Sequence, residues 1–213
     1  MGKYDALISL LMDVVNDSGL TEHQSAGIAV GISNRHLHLS QADLNVLFGE
    51  NYQMTKIKDL SQPGQYACKE TVVICGPKGS VENIRFLGPV RKKSQVEILK
   101  GDCYKLGVSA PERLSGELSG TPGITVIGPN GSIQLKEGLI VAQRHIHMTL
   151  KDAEYYNVTD GETVSIQIDG SRGGIFNNVA IRANDASFLE CHIDTEEANA
   201  MGIDSKSTIK IIK

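Results

Sequence analysis

The feature that most constrains this chain is a repeat. Arg35-His36-Leu37-His38-Leu39-Ser40 returns as Arg144-His145-Ile146-His147-Met148-Thr149, and Asp43 matches Asp152 at the same offset. Further on, Glu97-Ile98 through Leu106-Gly107-Val108 aligns with His192-Ile193 through Met201-Gly202-Ile203. Self-similarity of this kind marks a duplicated structural unit. The offset is smaller in the second stretch, so the first copy carries an insertion, which we place within Asn51–Ala67.

The units are β-rich. Short β-branched runs at Ile28–Ile32, Thr71–Cys75, Ile124–Ile127, Leu139–Ala142, Thr163–Ile168 and Thr208–Ile212 are separated by turn signals such as Gly76-Pro77-Lys78-Gly79, Gly128-Pro129-Asn130-Gly131 and Asp169-Gly170. Long helical periods are missing from this body, so closed or sandwiched β-structure with short helices fits better than an alternating βαβ sheet. The first two dozen residues differ. Tyr4, Ala6, Leu7, Leu10, Leu11, Val14 and Val15 recur at helical spacing, which predicts one amphipathic helix ending near Asn16–Gly19. With 213 residues there is room for one large domain or two small ones.

Each copy opens with His-x-His. Alternation in a strand puts His36 and His38 on one face about 7 Å apart, and does the same for His145 and His147. Leu37, Leu39, Ile146 and Met148 then face an apolar side. Ser40-x-x-Asp43 and Thr149-x-x-Asp152 read as capping boxes, so each pair leads into a short helix. Two histidines are too few for a catalytic zinc, which takes three protein donors and an open position. The repeat supplies a third, because Glu97 aligns with His192 and both residue types bind zinc. We therefore expect one ion on His36, His38 and Glu97 and a second on His145, His147 and His192. A lone His-x-His is more often a surface or core pair; its repetition with a matching third donor reverses that weighting. His23 has no such support.

A second feature is basic. In Leu87-Gly88-Pro89-Val90-Arg91-Lys92-Lys93, Arg91 precedes Glu97 by less than two turns of chain, and arginine grips phosphate through a planar fork of donors. Its aligned position in the second copy is Ala186, the asymmetry expected of a site for one phosphate. The net charge of -4 gives no reason to expect a nucleic-acid partner. No apolar run is long enough to span a bilayer and nothing resembles a secretory signal. Four cysteines without a CxxC pair read as reduced thiols of a cytoplasmic protein.

Four segments carry a family resemblance: Gly31–Ser40 (GISNRHLHLS), Gly88–Glu97 (GPVRKKSQVE), Arg113–Gly128 (RLSGELSGTPGITVIG) and Gln143–Asp152 (QRHIHMTLKD). In these the chain resembles the PduL-type phosphotransacylases, or phosphate propanoyltransferases, over essentially everything from about Gln24 onward. The resemblance implies a mainly β fold of two β-barrel domains from an internal duplication, capped by short α-helices. One barrel would comprise residues 25–34 plus 143–213 and the other residues 35–142, with residues 1–24 an N-terminal helix or targeting segment. It implies two zinc ions on the six donors already derived, phosphate on Arg91, and CoA contacts at Ser33, Lys58, Arg85 and Asn199, with Ser115 a further active-site residue. It also implies a homodimer, with propanediol degradation in a bacterial microcompartment and its shell or core proteins as a setting. Residues 3–15 serve equally as a targeting signal or as a helix packed on the barrel.

The implied reaction is acyl-CoA plus phosphate giving acyl phosphate plus CoA. No Ser–His–Asp or Cys–His grouping stands out, so direct attack by phosphate on the thioester is favoured over an acyl-enzyme. Metal-binding histidines must be neutral, so activity is expected to fall below about pH 6. The competing readings are a duplicated cupin-like oxygenase and a non-catalytic metal- or CoA-binding module. Cupins expect a glutamate four or five residues beyond the second histidine, where this chain has Ala42 and Asp43. The large HxH metallohydrolases need a longer barrel of about 250 residues. Acetyl and propanoyl differ by one methylene, worth only about 1–3 kcal/mol, and the sequence does not choose between them.

Overall fold

The computed structural model describes residues 27–212, so the amphipathic helix expected over residues 3–15 lies outside the described residues. The body is mainly β. Six strands close a barrel in the order β1 (Ile28–Ser33), β14 (Glu190–Asp194), β11 (His145–Met148), β13 (Gly174–Ala183), β12 (Thr163–Ile168) and β15 (Thr208–Ile212). Nine strands form a second sheet. Its main path runs β7 (Glu112–Arg113), β10 (Leu139–Ala142), β6 (Gln95–Ile98), β2 (His36–His38), β5 (Ser80–Gly88), β4 (Tyr66–Cys75), β8 (Thr125–Ile127) and β9 (Ser132–Gln134). The ninth, β3 (Lys56–Asp59), pairs only with β4. This strand and its loop fall inside the insertion read from the repeat.

The second sheet curls into a half-barrel whose end strands, β7 and β9, do not pair with each other. A helix covers part of what the ladder leaves open. Leu44, Leu47 and Phe48 of α1 (Gln41–Phe48) are buried in the core of this sheet. The end of α1 is tied to the β8–β9 turn through Asn130, whose N–H and side-chain amide donate to Leu47 O and Phe48 O at 3.0 and 2.9 Å.

The duplication is visible strand by strand. In the barrel β1 runs parallel to β14, β14 antiparallel to β11, β11 parallel to β13 and β13 antiparallel to β12. In the sheet β10, β6, β2, β5 and β4 repeat that sequence of senses. Helices recur at matching places: α1 after β2, α2 (Asp102–Leu106) after β6, α3 (Leu150–Tyr155) after β11 and α4 (Thr195–Met201) after β14. The expected capping interactions form. Ser40 Oγ accepts from Asp43 N, and Thr149 with Asp152 makes a complete reciprocal box. Helices α2 and α4 both stop at an aligned glycine in the left-handed region, Gly107 at φ 71° and Gly202 at φ 65°, where a side chain would be strained.

Each half keeps its own apolar core, one built around Phe86, Leu37, Ile74 and Ile84, the other around Ile146, Met148, Ile166 and Cys191. The arginine that opens each RHxH motif serves as a strut. Arg35 Nε meets Asp102 Oδ2 of α2 at 2.6 Å, and Arg144 Nε meets Glu197 Oε1 of α4 at 2.7 Å. Each strut joins the His-bearing corner to the helix that follows the strand of the third donor. Among the described residues no helix is long and apolar enough to cross a membrane.

Candidate active site

The two His-x-His pairs sit on β2 and β11, each beside the strand of its third donor. The register sets His36 opposite Glu97 and His145 opposite His192. Antiparallel neighbours face the same side of a sheet, so each trio converges by ladder geometry alone. His36, His38 and Glu97 place one donor atom each within 4.8 Å of one another, as do His145, His147 and His192. His36 Nε2 lies 3.3 Å from Glu97 Oε2, and His145 Nε2 lies 3.1 Å from His147 Nε2. Donors on a zinc tetrahedron with bonds of about 2.0–2.1 Å stand roughly 3.3 Å apart, so both spacings suit such an ion.

The protonation states agree with that chemistry. Burial, helped by neighbouring imidazoles, drives His38 to about 3, His145 to about 4 and His147 to about 3, so all three are neutral at pH 7. Burial opposes charge on Glu97 as well, but His36 outweighs it and holds the carboxyl well below its ordinary range. Burial likewise acts against charge on His36, where Glu97 prevails and raises the pKa. Main-chain carbonyls fix three of the rings: His36 Nδ1 meets Asn34 O at 2.7 Å, His38 Nδ1 meets Leu87 O at 2.9 Å and His145 Nδ1 meets Gln143 O at 2.8 Å. Each leaves Nε2 as the free donor. His147 Nδ1 is buried with no hydrogen-bond partner.

Both trios line one cleft of about 910 Å³ between barrel and half-barrel. Arg91, Ser115, Ser33, Lys58 and Arg85 line it too. Arg91 is placed by its main chain, whose N–H donates to Leu39 O at 2.8 Å, and its Nη1 donates to Ser115 Oγ at 2.9 Å. Gln95 Nε2 donates to the same hydroxyl at 2.9 Å. Burial chiefly, with repulsion from Arg182 behind it, lowers the Arg91 pKa against the attraction of Glu97. Arg85 is partly occupied, its Nη1 donating to Cys68 O at 2.6 Å. Asn199 is not brought in: it sits exposed on α4, and the cleft lining stops at Asp194 before that helix begins.

Sequence reasoning missed Arg182. The repeat alignment looked for a counterpart of Arg91 and found Ala186, but the second guanidinium arrives by another route, on β13 directly beside His147. It lines the cleft and acts electrostatically on Arg91, His145 and His147. Gln95 and Glu190 were missed as well; the ladder sets them opposite His38 and His147. The available signal was their position two residues before each third donor, on the same strand face.

The chain is similar to known proteins over most of its length. A family model described as phosphate propanoyltransferase matches residues 29–204. A phosphate propanoyltransferase of Thermotoga maritima is 54% identical over 188 residues, covering 88% of this chain and 90% of its own. That of Salmonella typhimurium is 51% identical over 187 residues, covering 87% and 89%. That of Enterococcus faecalis is 42% identical over 213 residues, the whole of both chains. Fold, site and relatives together define a transferase of the phosphotransacylase class. The chain belongs to the phosphate propanoyltransferase family. The cupin-like reading is not favoured by these findings.

Proposed function

We propose that this enzyme interconverts propanoyl-CoA or acetyl-CoA plus phosphate with the acyl phosphate plus CoA, and that two zinc ions occupy its two donor trios. The observation that carries the reading is the meeting of both trios and two guanidinium groups, Arg91 and Arg182, in one cleft. The donor chemistry suits zinc: two imidazoles with a carboxylate, and three imidazoles, each leaving a position open. The close approach of His145 Nε2 and His147 Nε2, on two neutral imidazoles, is tolerable when a cation shares these nitrogens. When bound, zinc would supply Lewis-acid stabilisation of developing oxyanion charge, worth several kcal/mol.

The chain's own groups do the rest. Arg91 offers its fork to the phosphate dianion, and Arg182 adds a second positive charge from the other half. Holding two anionic substrates together makes their encounter effectively unimolecular. Lys58, Ser33 and Arg85, on the cleft wall, suit the phosphates and ribose of CoA; Asn199, exposed outside that lining, is given to CoA by the family resemblance alone. Ser115 accepts hydrogen bonds from both Arg91 and Gln95, which stabilises electron density on its oxygen and makes it a poor nucleophile. No cysteine lines the cleft among the described residues. Both facts support direct attack by phosphate on the thioester carbonyl, without an acyl-enzyme.

Thiol release from propanoyl-CoA and acetyl-CoA, measured with and without phosphate on protein of known zinc content, tests the reading. Release that requires phosphate and is lost on chelation is expected. Phosphate-independent release would make the protein a thioesterase, and full turnover in metal-free protein would overturn the zinc assignment. The same reading divides the chain into two units, residues 25–34 plus 143–213 and residues 35–142, and pairs two copies of the chain as a homodimer. It also includes a bacterial microcompartment address in residues 1–24, for which a reporter fused to that segment should co-purify with compartment shells.

A further inference from the structure

Beside the third donor of each trio stands a second polar side chain. Gln95 precedes Glu97 by two residues on β6, and Glu190 precedes His192 by two on β14. Residues two apart in a strand share a face, and both side chains turn back onto their donor. Gln95 Nε2 donates to Glu97 Oε1 at 2.5 Å. Glu190 Oε2 accepts from His192 Nε2 at 2.6 Å, with the imidazole as donor because an ionised carboxylate can only accept. The polarity of the bond thus switches with the donor it serves: an amide N–H where the donor is a carboxylate, a carboxylate where it is an imidazole.

The surroundings of Glu190 are built around this contact. Gly31 is the parallel neighbour of His192 on β1. A Cβ at Gly31 would lie 2.8 Å from Glu190 Oε2 and 3.0 Å from His192 Cδ2. Gly31 is not among the residues with positive φ, so close approach rather than backbone conformation is what calls for glycine there. The equivalent place in the other half, beside Glu97, holds Ile140. From across the cleft, Ser61 Oγ donates to the same Glu190 oxygen. The next residue, Gln62, clasps the main chain of Phe188 with bonds of 3.0 and 3.2 Å. Glu190 is therefore held from both sides, by the barrel and by the insertion of the half-barrel.

We propose that Glu190 is a positioning residue for metal binding: it takes the Nε2–H of His192 and leaves Nδ1 as the nitrogen that ring gives to an ion. His36, His38 and His145 are oriented by main-chain carbonyls, which substitution cannot remove. His192 is oriented by a side chain, and the carboxylate also makes its ring a more basic donor. This inference rests on the two-ion reading above.

The test compares zinc-loaded wild type with Glu190→Gln, Glu190→Ala and Gly31→Ala. Zinc is counted by elemental analysis and its affinity measured by chelator competition; cobalt(II) in place of zinc reports coordination through its visible absorption. Wild type is expected to hold two ions tightly. Glu190→Ala and Gly31→Ala should hold one tightly and the other about 10- to 100-fold more weakly, and Glu190→Gln, which keeps the shape and loses the charge, at least about 10-fold more weakly. The absorption of one cobalt alone should change, which a general loss of stability would not produce. Glu190→Gln decides the matter if the alanine variants fail to fold. Two ions at wild-type affinity and an unchanged cobalt spectrum in Glu190→Gln would overturn this inference and leave the two-ion reading standing. A wild-type protein that binds no ion tightly would overturn both.

Discussion

A buried imidazole binds metal well only when one ring nitrogen is free and the ring cannot turn. His38 meets both conditions, with Nδ1 on Leu87 O and burial keeping it neutral. His38→Ala is expected to lose one of two ions, by elemental analysis, and to lower kcat/KM by more than about 100-fold, since it removes a term of several kcal/mol. Arg182→Ala removes a charge from the cleft wall, at the proposed phosphate site, rather than one of the candidate metal donors. It should keep both ions and raise the KM for phosphate by about 10-fold or more, the cost of one charge-assisted hydrogen bond, in initial-rate assays. The six candidate donors, which the structure brings together as two trios, could be read from the sequence because duplication wrote them twice in one order. Arg182 could not, because β13 has no repeat signature and only the parallel pairing with β11 brings it beside His147.

The short helices act at the scale of elements, as stops that fix each His-bearing strand. The reciprocal bonds of Thr149 and Asp152 satisfy the first turn of α3 immediately after His147 and Met148. Asp152→Ala should cost about 1 kcal/mol, read as a fall in Tm of roughly 2–4 °C with metal saturating. These caps were legible, since serine or threonine followed three residues on by an acid before an apolar run is a local signal. Strand cores such as those of β1, β4, β10, β12 and β15 were legible for a similar reason: β-branched residues bounded by turn residues. Three things were not. The pairing of β1 with β14 and β15 spans nearly the whole chain and leaves no local trace, so only the family resemblance grouped residues 25–34 with 143–213. The open edge between β7 and β9 depends on how far a sheet curls, which composition does not encode. The insertion was located by its length, but its grip on Phe188 and Glu190 arises only when the two halves meet.

For the molecule as a whole, the division of polar and apolar space decides which thiols react. Burial pushes Cys68 to about 11 and Cys191 to about 12, so neither carries appreciable thiolate at pH 8, while Cys75 and Cys103 are partly exposed. A disulfide reagent at pH 8 should titrate the two partly exposed thiols in native protein and all four after denaturation. Because both shifts are upward, alkalinity should reach Cys68 before Cys191, as followed by the pH dependence of labelling. The barrel's closing strand has a further consequence. β1 joins strands that are made long after it, so the barrel cannot seal until those strands emerge, whereas β2 and its neighbours can find one another earlier. Moving residues 28–34 to follow residue 212 would turn a pairing across the chain into an adjacent hairpin. Such a permutant should refold faster than the natural order in stopped-flow experiments, because the ends it must unite are already close. The natural chain therefore has one strand in waiting until β14 and β15 have been made, an exposed edge that the cell must keep from finding another partner.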